Sequence, residues 1–393
     1  MSKNIFFSCL HHLRGAIALL LIAGFANEIP AASWTVVDST SGMMLTAKDA
    51  EVSAPAGNFV KLLTLYTALE LTQHEKNAFE TNIKVSTAAA SITGQHRIYL
   101  TPNQMVPLGT LLRAIAILGA EDACLAVADG LTSSRTQFVA AMNQTAQKLR
   151  LEQSHYVSPI VNHNNRSSAR DLAILAQALR RHYPTAFRWF SAKTFTYLGN
   201  TQRSGNPLLW RSTDIEGMMS SEKATSFVTA ASYHQNDNES PRQLIAVYLE
   251  DNKKNTSDTA INTVLSLLLK GRTDFVTIRL FAANTTIARL EVLGGNRDRI
   301  DVGSTEDIWV SLSKQELTGR GTGGLSTTIE HLQPFWAPLK KGEVIATLHV
   351  DFEGRNLASF PLVAMHDIGE GSFFSRFIDS VRLKISAEPE NHP

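Results

Sequence analysis

Few residues in this chain have the type and spacing for nucleophilic or metal chemistry. Ser220–Lys223 and Ser311–Lys314 both read S-x-x-K, and Ser204–Asn206 reads S-G-N. Residues at i and i+3 share one helix face, so an S-x-x-K serine on a helix can lie within proton-transfer reach of the lysine amine. A bare four-letter pattern carries little weight without its structural context, and these three read as chance matches. Lys61 stands three residues after Asn58, whose carboxamide suits the start of a helix, where its oxygen can cap free N–H groups. Cys124 lies in an apolar helical run with no histidine nearby in sequence, which reads as a buried inert thiol. His163 falls in a polar loop and reads as solvated. Cys9 and Cys124 are the only cysteines, so neither a zinc cage nor a disulfide framework can be built. The glycine-rich stretch Thr318–Gly324 lacks the Lys-Ser/Thr ending of a phosphate loop and reads as a turn. No cofactor is implied.

Those residues must be positioned by a chain of 393 residues, long enough for about two domains. Hydrophobic residues make up 44% and charged residues 19%, a globular composition. The net charge of +1 excludes a nucleic-acid binder acting through bulk charge. Trp34–Asp38 and Met43–Leu45, joined through Ser41 and Gly42, read as a hairpin. Phe59–Leu69 is helical and apolar on nearly every side, hence buried. Further helices are expected at Leu111–Leu118, Asp122–Asp129, Gln137–Leu149 and Arg170–Arg181. Strands are expected at Thr194–Leu198, Thr225–Tyr233 and Gln243–Leu249, then a helix at Asp258–Lys270 capped by Gly271. Strands, then a helical block, then strands and a helix argue an α+β domain with helices packed on an antiparallel sheet. Beyond residue 272 the pieces Phe275–Phe281, Ile287–Leu293, Asp307–Leu312, Val344–Val350 and Phe360–Ala364 predict a small all-β domain.

Both ends carry addresses. Residues 1–32 read as a secretory signal, with Lys3 and Arg14 as the positive n-region before the apolar core Gly15–Phe25. An uncleaved anchor is the alternative. Near the other end, Phe373, Phe374, Phe377, Ile378, Val381 and Ile385 recur at helical spacing with Arg376, Arg382 and Lys384 on the polar side. That pattern predicts an in-plane membrane helix; a helix docked on its own β domain is the alternative. The expected layout is a signal at 1–32, an α+β domain at 33–272, a β-rich domain at 273–368, and an amphipathic helix with polar tail at 369–393.

Seven segments in order resemble the low-molecular-mass penicillin-binding proteins, the serine-type D-alanyl-D-alanine carboxypeptidases. They are Trp34–Gly42, Asp122–Asp129, Ser167–Ala173, Asn206–Trp210 with Glu216-Gly217, Ala337–Gly342, Pro361–Val363 and Glu370–Phe374. The resemblance implies a penicillin-binding/β-lactamase-like domain followed by a small all-β domain. It also implies a role in peptidoglycan biology in the periplasm, at the inner-membrane surface through the C-terminal helix. In that family S-x-x-K supplies the acylated serine, S-x-N relays protons and grips the peptide, and K-T-G attracts the substrate carboxylate.

Aligned on the family, none of the three motifs is intact. Asn58 stands at the nucleophile, with Lys61 retained. Gly119-Ala120-Glu121 stands for S-x-N, and Met219-Ser220-Ser221 for K-T-G. A carboxamide has no ionisable hydroxyl and cannot be acylated as serine is. Glu121 is expected to pair with Lys61 and hold it protonated. Met219 removes a cation and Glu222 adds an anion, so the cleft should repel carboxylates. The expectation is a non-catalytic family member that binds peptidoglycan or another cell-wall enzyme. A working carboxypeptidase with a relocated nucleophile, and an envelope scaffold acting through the β domain, are the alternatives.

Overall fold

A computed structural model describes residues 32–94, 96–233, 242–250, 256–318, 321–331 and 335–371. The expected signal and the apolar residues Phe373, Phe374, Phe377, Ile378, Val381 and Ile385 lie outside the described residues.

The first domain is built on a five-stranded antiparallel sheet. Its strands are β1 (Ala32–Asp38), β2 (Met44–Lys48), β3 (Ile215–Ser220), β4 (Phe227–Tyr233) and β5 (Arg242–Glu250), in the order β2-β1-β5-β4-β3. Period-two alternation sorts the side chains of β5 between two cores. Ile245, Val247 and Leu249 face a large helical core, whereas Leu244, Ala246 and Tyr248 face a smaller one. The sheet is thus buried on both faces, which explains why these strands are apolar almost throughout.

The large core is formed by α1 (Val60–Thr72), α2 (Leu108–Leu118), α3 (Glu121–Leu131), α4 (Arg135–Lys148) and α5 (Ala169–His182). The smaller is covered by α6 (Ser257–Thr273). The predicted all-round burial of α1 holds: Leu62, Leu63, Leu65 and Ala68 have no exposed surface, and neither does Lys61. The expected cap at Gly271 does not form, because α6 continues to Thr273. A Cβ at Gly271 would lie 3.0 Å from both Val36 and Leu244. Gly271 therefore serves close approach of helix to sheet, where a larger residue would push the two apart.

The second domain is all-β. It contains β6 (Phe275–Phe281), β7 (Thr286–Leu293), β8 (Arg299–Gly303), β9 (Ile308–Ser313), β10 (Leu325–Glu330), β11 (Phe335–Trp336), β12 (Val344–Phe352) and β13 (Arg355–Ala364). Six of them form a sheet in the order β10-β12-β13-β8-β7-β11, and β6 pairs with β9. Val302, Val310, Leu348, Val350 and Leu362 fill its core with no exposed surface. Of the glycine-rich stretch, Gly321–Gly324 forms a single tight turn with no helix following.

Candidate functional site

The head of α1, the α2–α3 junction and the edge strand β3 converge on one cleft. It is lined by Asn58, His96, Gly119, Ser204, Gly205, Asn206, Met219, Ser220 and Glu222 among others, around a cavity of about 60 Å³. That is room for a few waters or one small side-chain group. Asn58, Lys61, Gly119, Glu121, Met219 and Ser220 are all brought together here, although up to 162 positions separate contacting pairs.

Asn58 does not cap the helix. Residues Gly57–Phe59 already form a 3₁₀ turn, and no side-chain cap bond is found at the start of that turn or of α1. Its carboxamide instead joins two walls of the cleft. The Oδ1 accepts from Lys61 Nζ at 3.2 Å, and the Nδ2 donates to the Ser220 carbonyl at 3.3 Å. Lys61 Nζ also meets Glu121 Oε1 at 3.2 Å, the anticipated ion pair. Lys61 is fully buried while Glu121 keeps about a fifth of its surface. A buried ammonium with one carboxylate and one amide oxygen is charge-compensated where it stands.

Two further positions singled out in the sequence face the same cleft. Gly119 adopts φ +64°, and a Cβ built there would lie 3.7 Å from Lys61 Nζ. A side chain at 119 would thus point straight at the lysine. Met219 is buried, so an apolar thioether occupies this position of the cleft strand. Asp122, next to Glu121, accepts from the backbone N–H groups of Ile98, Leu100 and Ala123 and so ties the 96–100 loop to α3.

That loop carries His96, which sequence reasoning missed. Its ring is held below the usual histidine range, first by burial and then by the Lys61 charge, against the opposing pull of Glu222 and Glu121. Its Nε2 is buried without a hydrogen-bond partner among the described residues. No periodic pattern marks this residue; the loop reaches the cleft through the Glu121 N–H donating to the His96 carbonyl at 2.8 Å.

Ser204–Asn206, read in the sequence as a chance match, forms one wall of the cleft. The Asn206 Nδ2 donates to the Met218 carbonyl and its Oδ1 accepts from the Leu208 N–H, so the amide is spent on holding the chain. Ser311 lies in the β domain, away from the cleft. Cys124 is fully buried, and burial pushes its thiol far up. His163 is exposed, as expected. No cluster of three or more His, Cys, Asp or Glu among the described residues is placed to hold a metal ion.

Comparison with known proteins places these features. Residues 22–252 match the family described as D-alanyl-D-alanine carboxypeptidase, and residues 275–370 match the penicillin-binding protein 5 C-terminal domain. The D-alanyl-D-alanine carboxypeptidase DacA of Escherichia coli K12 is 27% identical over 366 residues, covering 91% of this chain and 88% of the relative. DacD of the same organism is 27% identical over 363 residues, covering 90% of each chain. Among solved structures, penicillin-binding protein 5 from Haemophilus influenzae superposes with a TM-score of 0.71. It is 24% identical, with 86% of this chain and 97% of that chain covered.

Proposed function

The chain belongs to the D-alanyl-D-alanine carboxypeptidase family of peptidoglycan biology, and from that premise we propose that it is a non-catalytic member acting by binding. One observation carries the reading. The position that should attack a carbonyl holds an amide whose two ends are bonded across the cleft, and the lysine that should activate it is ion-paired. Serine acylation needs a hydroxyl beside a base. Among the described cleft hydroxyls, none has that partner. Ser220 Oγ donates to the Gly205 carbonyl, Ser221 Oγ accepts from the Thr225 and Ser226 N–H groups, and Ser204 Oγ accepts from the Asn206 N–H. These contacts argue against a nucleophile relocated within the cleft.

The proposed setting is the periplasm, reached through the signal at 1–32. Attachment to the inner-membrane surface would use Phe373, Phe374 and the apolar residues that follow them. Among the described residues no helix is long and apolar enough to cross a membrane. The partner is peptidoglycan or another cell-wall enzyme.

The test is covalent labelling. Full-length protein incubated with fluorescent penicillin should give no labelled band beside an intact carboxypeptidase that labels strongly, and should release no D-alanine from a pentapeptide. It should nevertheless sediment with isolated cell-wall sacculi. A β-lactam adduct detected by mass spectrometry on residues 33–272 would overturn the proposal.

A further inference from the structure

A second cavity, of about 290 Å³, opens at the far end of α1 from the cleft. Lys61 stands at the head of that helix and Gln73 just past its end, a separation of ~18 Å at ~1.5 Å per residue. The cavity is therefore distinct from the degenerate site. Its volume is at the low end of the ~300–1,000 Å³ of small-molecule pockets, which suits a single ring.

Its lining is specific in kind. Tyr66, His182 and Tyr183 form a corner of three rings, with Tyr66 and Tyr183 edge-on at 5.2 Å between centroids. The Tyr66 hydroxyl and His182 Nδ1 are 2.6 Å apart. Beside them Glu70 accepts from Thr145 Oγ1 at 2.5 Å and from Lys148 Nζ at 2.7 Å. Burial alone would raise the Glu70 carboxyl, but these bonds outweigh it and hold the group below its ordinary range. Glu70 and Lys148 thus cancel in charge. Gln73 and Tyr183 also line the cavity, and neither side chain makes a hydrogen bond within the described residues.

We infer that this cavity binds an uncharged saccharide ring, an N-acetylated amino sugar in particular. An ionic ligand would lose hydration and find no net opposite charge to replace it. A pyranose loses less, because its C–H face can lie on an aromatic ring while its hydroxyls and acetamide meet planar donors and acceptors. Gln73 offers one donor-acceptor pair, Tyr183 a second, and Lys148 has N–H groups to spare beyond its bond to Glu70. The inference rests on the proposed binding role and deepens it: the glycan part of the wall, not the peptide end, is what the protein holds.

The probe is N-acetylglucosamine, read by saturation-transfer NMR on the full chain, with N,N′-diacetylchitobiose and intact sacculi as further arms. Transfer to the monosaccharide is expected. Gln73→Trp, which fills the mouth at an exposed position, should weaken binding at least tenfold. Tyr183→Phe, which removes one hydroxyl, should weaken it several-fold, and Glu222→Gln in the cleft should leave it unchanged. Absence of transfer, or equal binding by Gln73→Trp, overturns the inference. If sacculi still sediment in that case, the non-catalytic binding role survives without this cavity. If the monosaccharide binds but sacculi do not sediment, the cavity is a sugar site and the cell-wall reading falls. Binding of the monosaccharide and chitobiose but not sacculi marks free sugars as the source.

Discussion

Introducing a serine at position 58 tests the proposal that the cleft lacks the groups for acylation. Asn58→Ser alone should give no penicillin labelling. The new hydroxyl would face an ammonium still paired with Glu121 at 3.2 Å, with no relay group at Gly119 and no cation at Met219. Groups that act as a unit contribute little singly, so the combined Asn58→Ser, Gly119→Ser, Glu121→Asn and Met219→Lys chain is the one expected to label. A band from the single variant would show that the remaining cleft is more competent than its contacts suggest. His96 gives a second residue-scale prediction. Its depressed pKa means that the native state favours the neutral ring, while the unfolded chain takes up a proton near its ordinary pKa of ~6.5. Its contribution is therefore full above that value and is lost as pH falls toward the lower native pKa. The raised carboxyls of Asp122 and Asp171 work in the opposite sense. The test is thus a difference: the thermal midpoint of wild type should fall relative to that of His96→Gln as pH drops from 8 to 5. Identical pH slopes would remove His96 from the electrostatics of the cleft.

Elements set how close these residues can come, and one glycine carries much of that. Gly217, on the cleft strand β3, has φ +112°, and a Cβ there would fall 2.0 Å from the Phe190 carbonyl oxygen. Gly217→Ala should cost about 2–4 kcal/mol, from left-handed strain plus overpacking, and lower the unfolding midpoint measured by circular dichroism. A change within a few tenths of a kcal/mol would mean that the strand can shift. Position 217 was legible in sequence only through its order beside Glu216; the approach of Phe190 was not, because no local pattern records what a loop brings near. The same distinction runs through the fold. α1 and β5 were readable because burial on all sides leaves an unbroken apolar run. Arg299–Gly303 and Leu325–Glu330 were not, since short strands with charged or hydroxylated faces resemble loops. In the cleft, Asn58, Lys61, Gly119, Glu121 and Met219 could be placed because intact packing segments flank them. His96 and Ser204–Asn206 lie in connections without period, and only the fold returns them to the site.

At the scale of the molecule, one buried carboxylate joins the two domains. Asp38 Oδ2, at the end of β1, accepts from Arg242 Nε at 2.6 Å, from Ser311 Oγ at 3.1 Å and from Thr277 Oγ1. Arg242 in turn donates through Nη1 to the carbonyl of Phe275, the first residue of the β domain, at 3.0 Å. Both charged partners are almost completely inaccessible, 0% and 4% exposed. A second contact, Arg181 with Glu306, also spans the domains but is open to water on both sides. The two should differ sharply in weight. Removing one member of a buried pair strands the other charge and costs about 3–5 kcal/mol, whereas an exposed pair is worth ~0–1 kcal/mol. Asp38→Asn should therefore loosen docking and split one calorimetric transition into two, while Arg181→Ala leaves the transition near wild type. If Asp38→Asn lowers a single transition without splitting it, the domains unfold as one unit through their apolar contacts, and the carboxylate contributes stability without controlling their docking.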